Sequence, residues 1–148
     1  MIREGKNLPA DVLDRVPTVV PKIAEDNDVV AMYAFGSLVE SGLNPLSDLD
    51  FAVLLSDSLS KGERFLKSID LIGIFNETLK TDEVDLVILN DAPYGFADHI
   101  LKTGRLLHCR DRGQLIDFIE KTKKVYLDFK PVREQFDQSF LEGIGYHG

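Results

Sequence analysis

The sequence predicts a single α/β or α+β domain built on a small sheet. Three observations carry this. Short apolar runs at residues 29–35, 51–55 and 84–89 have strand length and end at turn-forming residues. The segments between and after them place apolar residues at steps of three and four, the period of a helix face. At 148 residues, the chain suits one domain around one core. Strands alternating with helices imply a sheet covered by helices.

Taken in order, Asn7 or a neighbour caps a first helix, with Pro9 near its first turn. Pro17 and Pro21 each remove a backbone donor, so this helix is expected to be short or broken. Val29 to Phe35 is a buried strand ending at Gly36, and Phe51 to Leu55 is a second. Ser60 and Glu63 form a capping box that opens the next helix. Its residues Phe65, Ile69, Ile72, Phe75 and Leu79 trace one face, expected to pack in the core. Val84 to Leu89 is the third strand. Tyr94 to Thr103 is a short helix stopped by Gly104, and Leu106 to Cys109 is a strand on an edge. Asp111 and Gln114 resemble a second capping box. Beyond them Leu115, Phe118, Ile119, Thr122, Tyr126, Phe129, Val132, Phe136 and Phe140 continue a stripe. Pro131 predicts a kink or a close helix pair. The expected organisation is one domain over 1–148, with a core at about 26–110 and a helical segment at about 111–145.

Composition narrows the function classes. The chain is 44% hydrophobic and 28% charged, as in ordinary globular proteins. Its net charge of −8 argues against direct nucleic-acid binding, which depends on neutralising phosphates. The lone Cys109 permits no intrachain disulfide, which fits a reducing cytoplasm. No apolar run reaches membrane-spanning length, and the first residues lack a signal-peptide core. His99, His108 and His147 have no zinc-ligand spacing. Lys121, Lys123 and Lys124 read as a solvated helix face.

The chemistry concentrates at FGSLVESGLNPLSDLD, residues 35–50. Asp48 and Asp50 stand two apart at a strand mouth, so they project from one face. Their Cα atoms are roughly 6.7 Å apart at strand rise. Two charges at that distance repel by about 2.5 kcal/mol at an effective dielectric near 20. No Lys or Arg lies between Gly36 and Asp50, so a divalent cation is the simplest partner. Hard oxygen ligands point to Mg²⁺. Asp85 lies one residue into the third strand, where an unused charge is expensive. Three carboxylates on adjacent strands suit a two-metal transfer at phosphorus. The plain alternative is a turn or a solvated strand end. Gly36 and Ser37 lie between a strand and a helical turn. There the backbone can approach a phosphate, or else simply turn with Ser37 as a cap.

Gly36-Ser37, ten residues, then Asp48-Leu49-Asp50 resembles the signature of the DNA polymerase beta-like nucleotidyltransferase superfamily. Asp85 falls where that family places its third carboxylate. The small size resembles the minimal nucleotidyltransferase (MNT) group. Leu101 to Asp111 and Tyr126 to Pro131 resemble segments of MNT antitoxins paired with HEPN-domain ribonuclease toxins. The resemblance implies a mixed sheet packed with helices and Mg²⁺-dependent transfer of AMP from ATP. The implied acceptor is a tyrosine hydroxyl of a partner HEPN toxin, which the modification silences. Gly36 and Ser37 would hold the triphosphate; Asp48, Asp50 and Asp85 would be the catalytic, metal-binding carboxylates. The chain departs from many relatives at Leu38 and Glu40, where arginines are common. Two other functions use the same residues: transfer to a small aminoglycoside-type acceptor, and toxin binding without catalysis.

Overall fold

The structure is a computed structural model, and it describes residues 11–39 and 48–126. Helix α1 (Val12–Ala24) leads into strand β1 (Val29–Phe35). A 3₁₀ turn (Gly36–Leu38) follows, then β2 (Leu49–Leu55), α2 (Lys61–Leu79) and β3 (Val84–Ile88). A second 3₁₀ turn (Leu89–Asp91), α3 (Tyr94–Thr103) and β4 (Arg105–Cys109) complete the sheet region. A fourth helix, α4, covers residues 112–126.

The sheet order is β3-β2-β1-β4. β1 is antiparallel to both β2 and β4, while β2 and β3 are parallel, joined across the sheet by α2. The sheet is therefore mixed, as expected. Every residue of β1 is buried, and so is all of β2 except Asp50. That explains why these strands read as continuous apolar runs rather than alternations. One face packs on α1 and α2, with Val19, Ile23, Leu71 and Phe75 against Met32, Phe51 and Val53. The rings of Phe51 and Phe75 lie 4.6 Å apart. The other face packs on α3 and α4, with Ala97, Ile100 and Leu115 against Tyr33, Ala52 and Leu54.

Several local expectations appear as drawn. Ser60 accepts from the Glu63 backbone N–H, and the Glu63 side chain accepts from the Ser60 N–H, so the capping box closes. Gly104 follows the last residue of α3. Leu115 and Thr122 of α4 face inward, while Lys121, Lys123 and Lys124 are exposed. Asp111 caps α4 through Gln114 N–H, but the Gln114 amide returns to the Asp111 carboxylate rather than to its backbone.

Other expectations are corrected. α1 runs unbroken through Pro17 and Pro21. Both prolines are exposed and four residues apart, so the carbonyls they leave unbonded lie on one solvent-facing side. β2 starts two residues earlier than predicted, at Leu49, and β3 ends at Ile88. The α2 stripe is not all core: Phe75 and Leu79 are buried, but Phe65 is 65% and Ile69 52% exposed. The buried side of α2 is set by Leu71, Phe75, Thr78 and Leu79, and at 3.6 residues per turn Phe65 and Ile69 lie rotated off it, with Phe65 at the margin beside β3. The predicted cap at Asn7 and the stripe from Phe129 to Phe140, with its kink at Pro131, lie outside the described residues.

Asn90 ends the β2–β3 pairing by imitation. Its side-chain amide accepts from Leu55 N–H and donates to Leu55 C=O, both at 2.9 Å. A side chain thus supplies what the next peptide of β3 would have supplied. Arg64 anchors the same corner by donating to both oxygens of Asp91 and to the Leu59 carbonyl. Lys67 ties α2 to the start of β1 through Asp26 and Asp28.

Candidate active site

Gly36 follows β1 with φ of +63°, a conformation that favours glycine. Phe35 is the cross-strand partner of Asp50, so the turn sits directly beside that carboxylate. A Cβ at residue 36 would collide with the Asp50 side chain. Glycine is thus required for both its torsion and its close approach. Ser37 lies in the same turn, which is closed by Val39 N–H donating to Gly36 C=O at 3.0 Å. The turn spans three residues only, so it offers backbone N–H groups without the dipole of a full helix. Leu38 packs toward the α1/α2 core rather than toward the carboxylates. The position where an arginine is common is therefore a packing position here.

Asp50 and Asp85 are direct partners in the parallel register of β2 and β3. The alternate residues Ala52, Leu54 and Val87 belong to the α3/α4 side of the sheet, so Asp50 and Asp85 face that side too. Asp48 stands one residue before β2 and shares the face of Asp50 by the same alternation. The carboxyl of Asp50 is pushed up to about 6, first by burial and then by the negative charges of Asp85 and Asp48. The structure thus brings Gly36, Asp48, Asp50 and Asp85 to one rim, with Ser37 in the adjoining turn.

This donor set fits a hard divalent cation. All three side chains are carboxylates, and Asp50, raised first by burial and then by its two acidic neighbours, is the one whose charge a bound cation would most relieve. Among the described residues, no three His, Cys, Asp or Glu side chains already converge around one point. The carboxylates sense one another without closing on a centre.

One neighbour of the site was not signalled by the sequence. Phe96 of α3 stacks edge-on against Phe35, with ring centroids 6.0 Å apart and planes at 79°. It remains 41% exposed, an aromatic wall beside the strand pair that carries Asp50. In the sequence it is one more apolar residue of an amphipathic helix, and only the crossing of α3 over β1 gives it this place. Lys102 is held by Asp98 at 2.8 Å and lies over the Tyr126 ring.

Comparison with known proteins agrees with this geometry. The profile of the family described as "Polymerase beta, Nucleotidyltransferase" matches residues 18–113. Spectinomycin 9-adenylyltransferase of Enterococcus faecalis is 56% identical over 34 residues, covering 23% of this chain and 13% of that protein. The chain therefore spans only a small part of that relative. A solved toxin–antitoxin structure with AMP-PNP matches with a TM-score of 0.64 and 23% identity, over 88% of this chain and 99% of that one. A tri-AMPylated Shewanella oneidensis HEPN toxin in complex with MNT antitoxin matches at 0.56 and 22%, over 87% and 98%. The matched profile spans the sheet and every candidate site residue, and the chain belongs to the polymerase beta nucleotidyltransferase family.

Proposed function

We propose that this protein transfers AMP from ATP to a tyrosine hydroxyl of a partner HEPN toxin and acts as its antitoxin. The observation that carries the reading is the gathering of Asp48, Asp50 and Asp85 on one face beside the Gly36 turn. The likeness to structures of toxin–antitoxin pairs, one with AMP-PNP and one with an AMPylated toxin, supports the choice of nucleotide and acceptor.

In this reading the Gly36–Leu38 turn receives the triphosphate through backbone N–H groups, with Ser37 beside them. Asp48, Asp50 and Asp85 would hold Mg²⁺, which supplies charge neutralisation at the phosphates when bound. Asp85, on the edge strand, accepts the proton of the incoming hydroxyl. The hydroxyl oxygen bonds to the α-phosphorus as the bond to pyrophosphate breaks, and pyrophosphate leaves. Every atom of ATP is accounted for in AMP-tyrosine and pyrophosphate.

The test is incubation with labelled ATP, Mg²⁺ and the HEPN protein. Label on a HEPN tyrosine is expected. An unlabelled toxin that still forms the complex would overturn the reading. A second reading, transfer to a small hydroxyl acceptor, is favoured by the local identity with spectinomycin 9-adenylyltransferase. It predicts pyrophosphate release on adding spectinomycin without any protein partner.

A further inference from the structure

A groove of about 350 Å³ lies against the C-terminal end of β3. Val87 and Ile88 form its floor, Phe65 and Ser68 of α2 one lip, and Pro93 and Phe96 the other. Among the described residues no strand lies beyond β3. The direction of its main-chain groups follows from one bond. Leu49 N–H donates to Glu83 C=O at 2.9 Å, which sets the phase of the parallel ladder. Asp85 and Val87 then turn their N–H and C=O toward β2, while Val84, Leu86 and Ile88 turn theirs outward. The edge of β3 therefore offers a row of outward peptide donors and acceptors, and the groove flanks its Ile88 end with the rings of Phe65 and Phe96.

We propose that an extended segment of the acceptor protein pairs along this edge of β3 as a fifth strand and presents its hydroxyl at the Asp85 end. This rests on the proposed transfer to a protein partner. Outward peptide groups select an extended chain over a helix or a small molecule. β3 has five residues, so the segment matched to it is about 17 Å long. Phe65 and Phe96 select apolar side chains at alternating positions on the two sides of that segment. Asp85 lies outside the groove, two residues before Val87 on the same strand and face, so a chain paired along the edge beyond the groove reaches Asp85 first, with Asp50 on the next strand in. Those charges select against acidic residues beside the hydroxyl. At the far end stand Lys61 and Asp91, the latter already held by Arg64.

The experiment uses the full chain and the purified HEPN protein. Phe65→Asp charges an exposed lip and Ser68→Arg fills the groove; neither residue belongs to the nucleotide site. Both variants are expected to lower kcat/KM for labelling the HEPN protein at least tenfold, with ATP·Mg²⁺ affinity unchanged. In parallel, hydrogen exchange is followed in a complex made with Asp48→Asn/Asp50→Asn. Slowed exchange at the Leu86 and Ile88 amides on complex formation is expected. A complex without that protection, or full labelling by both variants, overturns the proposal. So does absence of any complex, or protection of these amides by self-association of the chain alone. Protection in the complex with no labelling by the unaltered chain retains the docking edge and removes only the AMP transfer.

Discussion

At Gly36 two demands coincide, a left-handed backbone and a carboxylate pressed against the place a Cβ would take. Gly36→Ala meets neither. The torsion alone costs about 1–2 kcal/mol, and displacement of Asp50 adds to it. Urea denaturation should show the loss, and ATP·Mg²⁺ affinity should fall at least tenfold. Asp50 makes an opposite prediction for stability. Its carboxyl is raised to about 6 in the folded chain, so folding favours its protonated form. That contribution is full below the unfolded value near 4 and is lost as pH rises through about 6. Without metal, the protein should lose stability between about pH 4 and about pH 6.5, by well under the roughly 3 kcal/mol that the full shift would give, because solvent screens this part-exposed group. Asp50→Asn should remove that slope and also abolish transfer. In the unaltered chain, Mg²⁺ affinity should fall steeply as pH drops below about 6, because the ion competes with a proton. Calorimetric titration at pH 5 and 7.5 checks this. Asp48 and Asp50 were legible as one face because strand alternation follows from their spacing, whereas the place of Asp85 depends on β3 lying beside β2 in the register that pairs it with Asp50. Phe96 was not legible, because its place depends on how a helix crosses the sheet.

Among the elements, α2 shows best what periodicity can and cannot state. The capping box was readable because its two bonds join residues three apart. The stripe placed Phe75 and Leu79 in the core, but at Phe65 and Ile69 it drifted off the buried side that Leu71 and Thr78 help define. β3 itself is closed by Asn90 after five residues. Asn90→Ala should therefore cost more than a surface change. It removes two partly buried hydrogen bonds and leaves the Leu55 main chain without them, about 2 kcal/mol in a denaturant titration. Asn90→Asp keeps the acceptor but loses the donor, and should fall between. α1 teaches the converse lesson. Its prolines suggested a break, yet a spacing of four puts both gaps on one wet side, where water can serve the freed carbonyls. Pro17→Ala should leave helix content unchanged or slightly raised by circular dichroism.

For the whole molecule, the alternation of apolar runs was enough to anticipate a small sheet packed with helices, and the resemblance to the nucleotidyltransferases supplied its mixed character. It did not give the strand order, because β4 pairs with β1 rather than with its neighbour in sequence. Neutralisation of the toxin separates catalysis from simple capture. Asp48→Asn with Asp50→Asn should abolish labelling and leave the toxin complex intact, as read by mass spectrometry and co-elution. Continued protection of cells by that double variant would favour capture. The placement of β4 carries a further consequence for how the chain reaches its form. β1, β2 and β3 join through successive connections, so their pairings can grow outward from a local start. β4 must close a loop containing every element between it and β1, an entropic cost paid late. The last strand to arrive during folding should then be the first to open under native conditions. The two rims of the sheet would accordingly breathe unequally, with the β4 margin loosening while the aspartate-bearing strands stay locked.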